Sequence, residues 1–458
     1  MEPERKHQVA VVGAGASGMA TAILLAEGGV DVALIEANDL PGKKLLATGN
    51  GKCNFTNNFQ NAACYRGEHP EVAMQLLKRF DVPCVLGFFG RLGILPKQRD
   101  GYWYPNSGQA ASVREAFAIR LFELNVPVYT NTHVDAVCKA DPSQSCGWEG
   151  FYIKAEKRVP LSAETGKKTG KKPKKPVYSE SFNVSFKAEY LVLATGGCAG
   201  NISGADGSGY GIAKGLGHRI IPPVPALVQL HSNKKALKAL SGVRVRASVL
   251  LSVEARGEGS FHYREQGEVL FADYGISGIP VMQVSRFAAR ELAKGEKAGR
   301  IRLFLDFFPD MEEGELGRML LSRIAAFPER KASQLLIGML PSKLSIALLE
   351  EAGLPCDIPC VSGKEDVFAR HLSHCIKHYC LEICGTNDFV NAQVTAGGVD
   401  LTELSGESLE SGLTRNLYVV GELADIDGTC GGYNLHWAFM SGFAAAEGIL
   451  AKMGKTGI

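Results

Sequence analysis

Three glycines and one carboxylate carry the first chemistry in this chain. Gly13, Gly15 and Gly18 form a G-x-G-x-x-G run, and Glu36 stands 18 residues beyond the last of them. A tight turn needs the first glycine, and close backbone approach to a pyrophosphate needs the second. The third lets the following helix pack on its strand. A carboxylate at the position of Glu36 suits the hydroxyls of a ribose. The flanking sequence predicts the elements in register: a strand at Val9 to Val12, a helix over Met19 to Glu27 and a second strand at Val32 to Ile35. Glycines of this pattern alone are a weak signal. Strand, glycines, helix, strand and acid together predict a bound dinucleotide.

Three further stretches have the composition to hold a polar cofactor. Residues 37 to 57 contain Lys43, Lys44 and the run Gly49-Asn50-Gly51-Lys52-Cys53-Asn54, rich in backbone amides and short amide side chains. The apolar run at Tyr190 to Ala194 ends in Thr195-Gly196-Gly197, a turn a ligand can approach closely. Near the C-terminus a strand at Leu417 to Val420 ends in Gly421-Glu422, with Asp425 and Asp427 in the loop after it. Gly431-Gly432-Tyr433-Asn434 then opens an apolar helix. Such a helix start offers amides and positive potential, which favours the anion formed when a flavin is reduced. The two glycines are expected to let the backbone approach that ring. Both ends of the chain are therefore expected to build one site, with the middle inserted.

Positioning these groups takes more than one core, because 458 residues exceed what one ordinary core supports. The fold expected is α/β. After the first strands, residues 70 to 125 read as mainly helical, interrupted by Gly101 to Ala110. Strands follow at Asn131 to Cys138, Gly150 to Lys157 and Val177 to Phe186, and the lysine-rich stretch 157–176 reads as a loop at a hairpin tip. Residues 218 to 308 read as a barrel-like run of strands and 311 to 350 as helices. A net charge of +2 gives no general pull toward nucleic acid or an anionic membrane. MEPERKHQ has no apolar leader core, so a cytoplasmic protein with reduced thiols is expected. His371, His374 and His378 lie near Cys375, Cys380 and Cys384, but their spacings match no standard zinc motif. No metal is expected there.

The set GAGASG, GKKLLATGNGKCNFTN, LATGG, VTAGGV and GELADIDGTCGGYNLHWAFMSG resembles the BaiN/YhiN-type FAD flavoproteins, the aminoacetone-oxidase-like family, in order along nearly the whole chain. The resemblance implies a glutathione-reductase-type FAD-binding Rossmann domain at 1–205 and 390–458. It also implies an inserted β-barrel-like domain at 206–310 and 365–389 and a small helical domain at 311–364. Position by position, it implies FAD contacts at Ser17, Glu36, Lys44, Gly49 and Asn54. Backbone contact to the adenine is implied at Val134, with Glu422, Asn434 and Leu435 lining the flavin. Two segments depart from the family pattern. Ala272-Asp273-Tyr274-Gly275 lacks the usual Thr-His before its aromatic-glycine pair, and Asp206-Gly207-Ser208-Gly209-Tyr210 replaces Gly-Asp-Gly-Tyr.

The function this implies is reduction of a carbon–carbon double bond conjugated to a ketone, in a bile-acid-like, steroid-like or other small enone. Tyr433, His436 and Tyr274 are chemically able to donate the proton, and the sequence does not choose among them. Two other readings compete: a flavin-dependent amine oxidase, and a non-catalytic FAD- and RNA-binding regulator supported only by the lysine-rich stretch. One dinucleotide fingerprint leaves NADH or NADPH to bind transiently, if either is the electron donor. No nucleic acid or membrane partner is expected, and the oligomeric state is open.

Overall fold

The computed structural model describes residues 4–140, 148–160, 178–200, 204–255, 259–360 and 363–455. Most of the lysine-rich stretch lies outside the described residues. The chain divides into two compact units, residues 1–223 with 394–458, and 224–393.

In the first unit, strand Arg5–Val12 runs parallel to Val32–Ile35 on one side and to Tyr178–Leu193 on the other. Val9 to Val12 and Val32 to Ile35 are fully buried, as apolar runs covered on both faces must be. Val128–Tyr129 extends the parallel sheet at one edge and Leu417–Val419 at the other end. The sequence suggests two separate strands between 177 and 197. The structure instead has one continuous strand, Tyr178–Leu193. Its first part pairs antiparallel with Phe151–Pro160, which pairs with Thr132–Lys139, and its last part joins the parallel sheet. Three helices, Glu71–Leu77, Val82–Arg91 and Ala110–Glu123, fill residues 70 to 125. The interrupting segment is a hairpin of Pro96–Arg99 and Tyr102–Pro105.

The first helix, Ala16–Glu27, and the last, Tyr433–Lys452, bury most of their length. They meet through Gly442, where a Cβ would lie 2.8 Å from the Ser17 carbonyl, and Thr21 donates a hydrogen bond to the Gly442 carbonyl. The two chain ends are thus one packed body, as the motifs at both ends require.

The second unit contains a closed six-stranded barrel in the order Leu230–Ser232, Gly275–Ser277, Gly259–Ala272, Arg244–Ala255, Arg300–Asp306 and Tyr379–Thr386. One helix falls inside the run that the sequence predicts as strands. Ile279–Leu292 buries Val281, Val284, Ser285 and Ala288, a helical spacing that the β-branched residues nearby obscure. The helices at 313–351 do not stand apart as the separate part expected at 311–364. Leu316, Leu320 and Leu344 share one apolar core with barrel residues Leu251 and Leu303. Likewise Ser208–Gly215 belongs with the first unit because Ile212 and Ala213 join its core. No described helix is long and apolar enough to cross a membrane, and the described cysteines are all free thiols.

Candidate dinucleotide site

The three N-terminal glycines have three different reasons. Gly13 has φ +102°, and a Cβ there would sit 2.4 Å from the Ala194 carbonyl of the neighbouring strand. At Gly18 a Cβ would come within 2.0 Å of the Gly13 carbonyl, so helix and turn touch backbone to backbone. A Cβ at Gly15 would meet nothing within 4 Å, and its φ of −80° is open to any residue. The open side of Gly15 lies at the start of Ala16–Glu27, where unpaired amides favour phosphate.

Glu36 is buried beside this turn. One carboxylate oxygen accepts from the Ala14 amide at 2.8 Å, and the other from the backbone and side-chain nitrogens of Asn38 at 2.8 and 2.6 Å. The Glu36 carbonyl accepts from Thr132, which brings the strand of Val134 alongside. Thr195 follows Ala194, the end of the strand that Gly13 abuts. Its hydroxyl is buried with no hydrogen-bond partner, as is the Asn54 side-chain oxygen. Gly196, at φ +72°, would point a Cβ into open space. An open Gly15, an open Gly196 and the buried Thr195 hydroxyl lacking a partner fit a dinucleotide along this face.

Of the loop lysines, Lys43 pairs with Asp39 at 2.5 Å and Lys44 with Glu422 at 2.5 Å. Glu422 also accepts from the Thr395 amide, so this carboxylate ties the loop to the re-entering strand Val394–Val399 and to the C-terminal segment. Gly49 lies in the same loop at φ +55°. Gly421, at φ +71°, sits against Ser17, where a Cβ would meet the hydroxyl at 2.6 Å. Its amide and carbonyl are held by Ser441 and the Trp437 indole. Asp427 is buried in a short strand paired with Tyr65–Arg66.

The C-terminal turn differs from expectation. Gly432 has φ +95°, but a Cβ there would strike Asn54 Oδ1 at 2.8 Å and the Thr56 carbonyl at 2.9 Å. Protein atoms, rather than an open ligand face, require that glycine. The Asn434 side chain both donates to and accepts from Gly428, so it clamps the preceding loop. Leu435 follows, half-buried against the core.

The site geometry and the strand–turn–helix order agree with a family model, the HI0933-like protein Rossmann domain, which matches residues 7–160 and 155–448. The chain belongs to the HI0933-like family. This is the BaiN/YhiN-type resemblance seen in the sequence. The HI0933-like chain is 37% identical over 445 residues to a 3-dehydro-bile acid delta(4,6)-reductase of Clostridium scindens, covering 96% of this chain and 98% of that protein. It is 27% identical over 443 residues to a ribosomal RNA dihydrouridine synthase of Escherichia coli, covering 96% and 97%. Among solved structures, a 3-ketosteroid delta1-dehydrogenase from Sterolibacterium denitrificans aligns at 14% identity with a TM-score of 0.48, over 98% of this chain and all of that one.

The three proton-donor candidates of this family member differ sharply in access. His436 is fully buried. Its Nδ1 faces the Thr56 hydroxyl at 2.6 Å and its Nε2 the Phe80 carbonyl at 3.0 Å, and burial lowers its pKa to about 4. Both ring nitrogens are spent on the fold, which removes it as a donor to substrate. Tyr433 is 5% exposed, and burial, then Cys64, raises its pKa. Tyr274 is 42% exposed on the barrel unit, edge-on to His231 at 5.2 Å. The Nε2 of His231 meets Asn387 at 2.5 Å, a neighbour that the spacing in sequence does not announce.

Proposed function

We propose that this protein reduces a carbon–carbon double bond conjugated to a carbonyl, in a small 3-oxo bile-acid-like or steroid-like enone. At the coarser level it is an FAD-dependent oxidoreductase. The observation that carries the finer reading is the 37% identity with a bile-acid enone reductase across nearly the whole of both chains. Dihydrouridine is also the product of saturating a double bond next to a carbonyl, so the second relative points to the same bond type on a different scaffold.

Gly13, Gly15 and Gly18 would receive the pyrophosphate, with Glu36 at a ribose. The Thr195 and Asn54 side chains, Glu422 and the segment at Leu435 would line the rest of FAD. Held there and reduced by two electrons, the flavin would supply hydride to the β-carbon of the enone and return to its oxidised form. The proton for the α-carbon is left open: His436 and Tyr433 are buried, and Tyr274 is exposed on the other unit. NADH or NADPH is proposed as the reductant. A cleft of about 390 Å³ in the first unit supports this, lined by Lys52, Lys97, Arg99, Tyr102 and Tyr104. Three cations and two aromatic rings suit phosphates and a planar base. Tyr102 also borders the C-terminal turn, 3.1 Å from where a Cβ on Gly431 would stand.

Anaerobic stopped-flow mixing tests the reading. A 3-oxo-4-ene steroid should oxidise the reduced flavin, and NADH or NADPH should reduce it. Bleaching of the oxidised flavin by an amine would favour the oxidase reading. Oxidation of reduced flavin by ribosomal RNA but by no enone would replace the substrate class.

A further inference from the structure

The structure brings a carboxylate from 61 residues upstream beside two histidines one helical turn apart. His374 and His378 stand one turn apart at the end of helix Glu365–Lys377, and Glu313 opens helix Glu313–Ala326. His374 Nδ1 lies 3.3 Å from one Glu313 oxygen, and His378 Nε2 lies 3.0 Å from the other. The three ligand atoms all fall within 4.8 Å of one another, and the two imidazole centroids are 4.7 Å apart. We propose that Glu313, His374 and His378 form a binding site for a divalent transition-metal ion of the zinc type, which clamps these two helices of the barrel unit.

Ligand type decides the class of ion, and the spacing is compatible with it. Zinc bonds of about 2.0–2.1 Å in a tetrahedron place neighbouring ligand atoms roughly 3.3–3.4 Å apart. The two nitrogen–oxygen separations stand at 3.0 and 3.3 Å, each to a different Glu313 oxygen, and one ligand atom from each residue falls within 4.8 Å of the others. Calcium and magnesium favour oxygen ligands, whereas imidazole suits zinc, nickel, cobalt and copper. The ring nitrogens and carboxylate are 64%, 49% and 38% exposed as side chains, so an ion can enter without unfolding.

Nearby groups leave the trio free for an ion. Lys377 turns to Asp306 at 2.8 Å and to the Phe308 and Met311 carbonyls, rather than to Glu313. Cys375, next in sequence to His374, has Glu351 and Lys234 as its charged neighbours. Lys234, Arg302 and Arg300 lie around Cys380 on the strand. The thiols near the histidines in sequence therefore do not complete the set, and a carboxylate 61 residues upstream does. With three protein ligands, a fourth position is left for water.

The test uses the full-length flavin-loaded protein, free of any affinity tag and stripped of metal. Titration with Zn(II) should show one saturable ion per chain at roughly micromolar to tens of micromolar concentration. His374→Ala and His378→Ala should each weaken it at least about tenfold, and the double variant should abolish it. Glu313→Gln should weaken it less, since an amide oxygen remains. Co(II) should give the visible absorption of a tetrahedral nitrogen–oxygen site. Unchanged Zn(II) affinity in the double variant would overturn the proposal. So would a near-ultraviolet thiolate-to-cobalt band that persists in that variant, because the ion would then sit on cysteine. The three side chains are 64%, 49% and 38% exposed, so thermal unfolding of the metal-free variants should match that of the wild type.

Discussion

The two glycine-rich turns of the first unit look alike in sequence and do different work. In the N-terminal turn, Gly13 and Gly18 are pressed against backbone, while Gly15 faces space in which a ligand can lie. In the C-terminal turn, a Cβ on Gly431 would meet Tyr433 and Tyr102, and one on Gly432 would meet Asn54 and Thr56. Both C-terminal glycines are demanded by the protein itself. A glycine in a cofactor motif thus reports close approach of something, and only its tertiary neighbours say whether that is ligand or chain.

The largest effects should come from the glycines that touch protein. Gly18→Ala places a methyl 2.0 Å from a carbonyl oxygen that cannot move without the turn. It should cost roughly 3 kcal/mol or more, seen as a fall in denaturation midpoint or as insoluble protein. Gly432→Ala combines positive φ with two contacts under 3.0 Å and should cost about 2–3 kcal/mol. Its loss should be the same with and without FAD. A variant stable as apoprotein but unable to hold FAD would show that Gly432 faces the ligand after all.

His436 sharpens the same contrast, since it pins the C-terminal helix to Thr56 of the N-terminal loop. Its pKa falls from 6.5 to about 4 on folding, through burial. The unfolded state therefore binds more protons between these values, so the contribution is fully present above pH 6.5 and is lost as pH falls toward 4. The amount is on the order of 3 kcal/mol. Denaturation of wild type and His436→Gln across that window should show a smaller slope in the variant. Equal slopes would place the titration elsewhere.

Glu36→Ala should weaken FAD by roughly 1.5–3 kcal/mol through a lost charge-assisted hydrogen bond. Fluorescence titration of the apoprotein with FAD measures this. Gly15→Ala should leave apoprotein stability within about 0.5 kcal/mol, since nothing lies within 4 Å of the new methyl. Its FAD affinity should drop about tenfold, and a stability loss instead would erase the difference between the two turns. Smallest of all is the effect expected at Cys53, whose thiol burial pushes up to about 12. It should resist alkylation in the native protein, and a Cys53→Ser, Cys430→Ser double variant should keep both flavin and turnover.

The sequence by itself determined the Val9 to Glu36 unit, the strand at Leu417 and the final helix. It did so because strand, turn and helix there follow from neighbours a few residues apart, through backbone sterics and short-range periodicity. The roles of Gly13 and Gly18 were legible for that reason. The tertiary structure alone decided why Gly432 must be glycine, since Asn54 and Thr56 come from the opposite end of the chain. It sealed His436 with Thr56 and Phe80, and it left Tyr274 exposed. It also set Glu313 beside His374 and His378, which no spacing along the chain announces. Strand Tyr178–Leu193 makes the same point. Its pattern marks two strand-like stretches, but whether they are one strand depends on partners at Phe151–Pro160 and Arg5–Val12. Local pattern specifies which face a residue can bury; what it is buried against is settled only when distant segments pack.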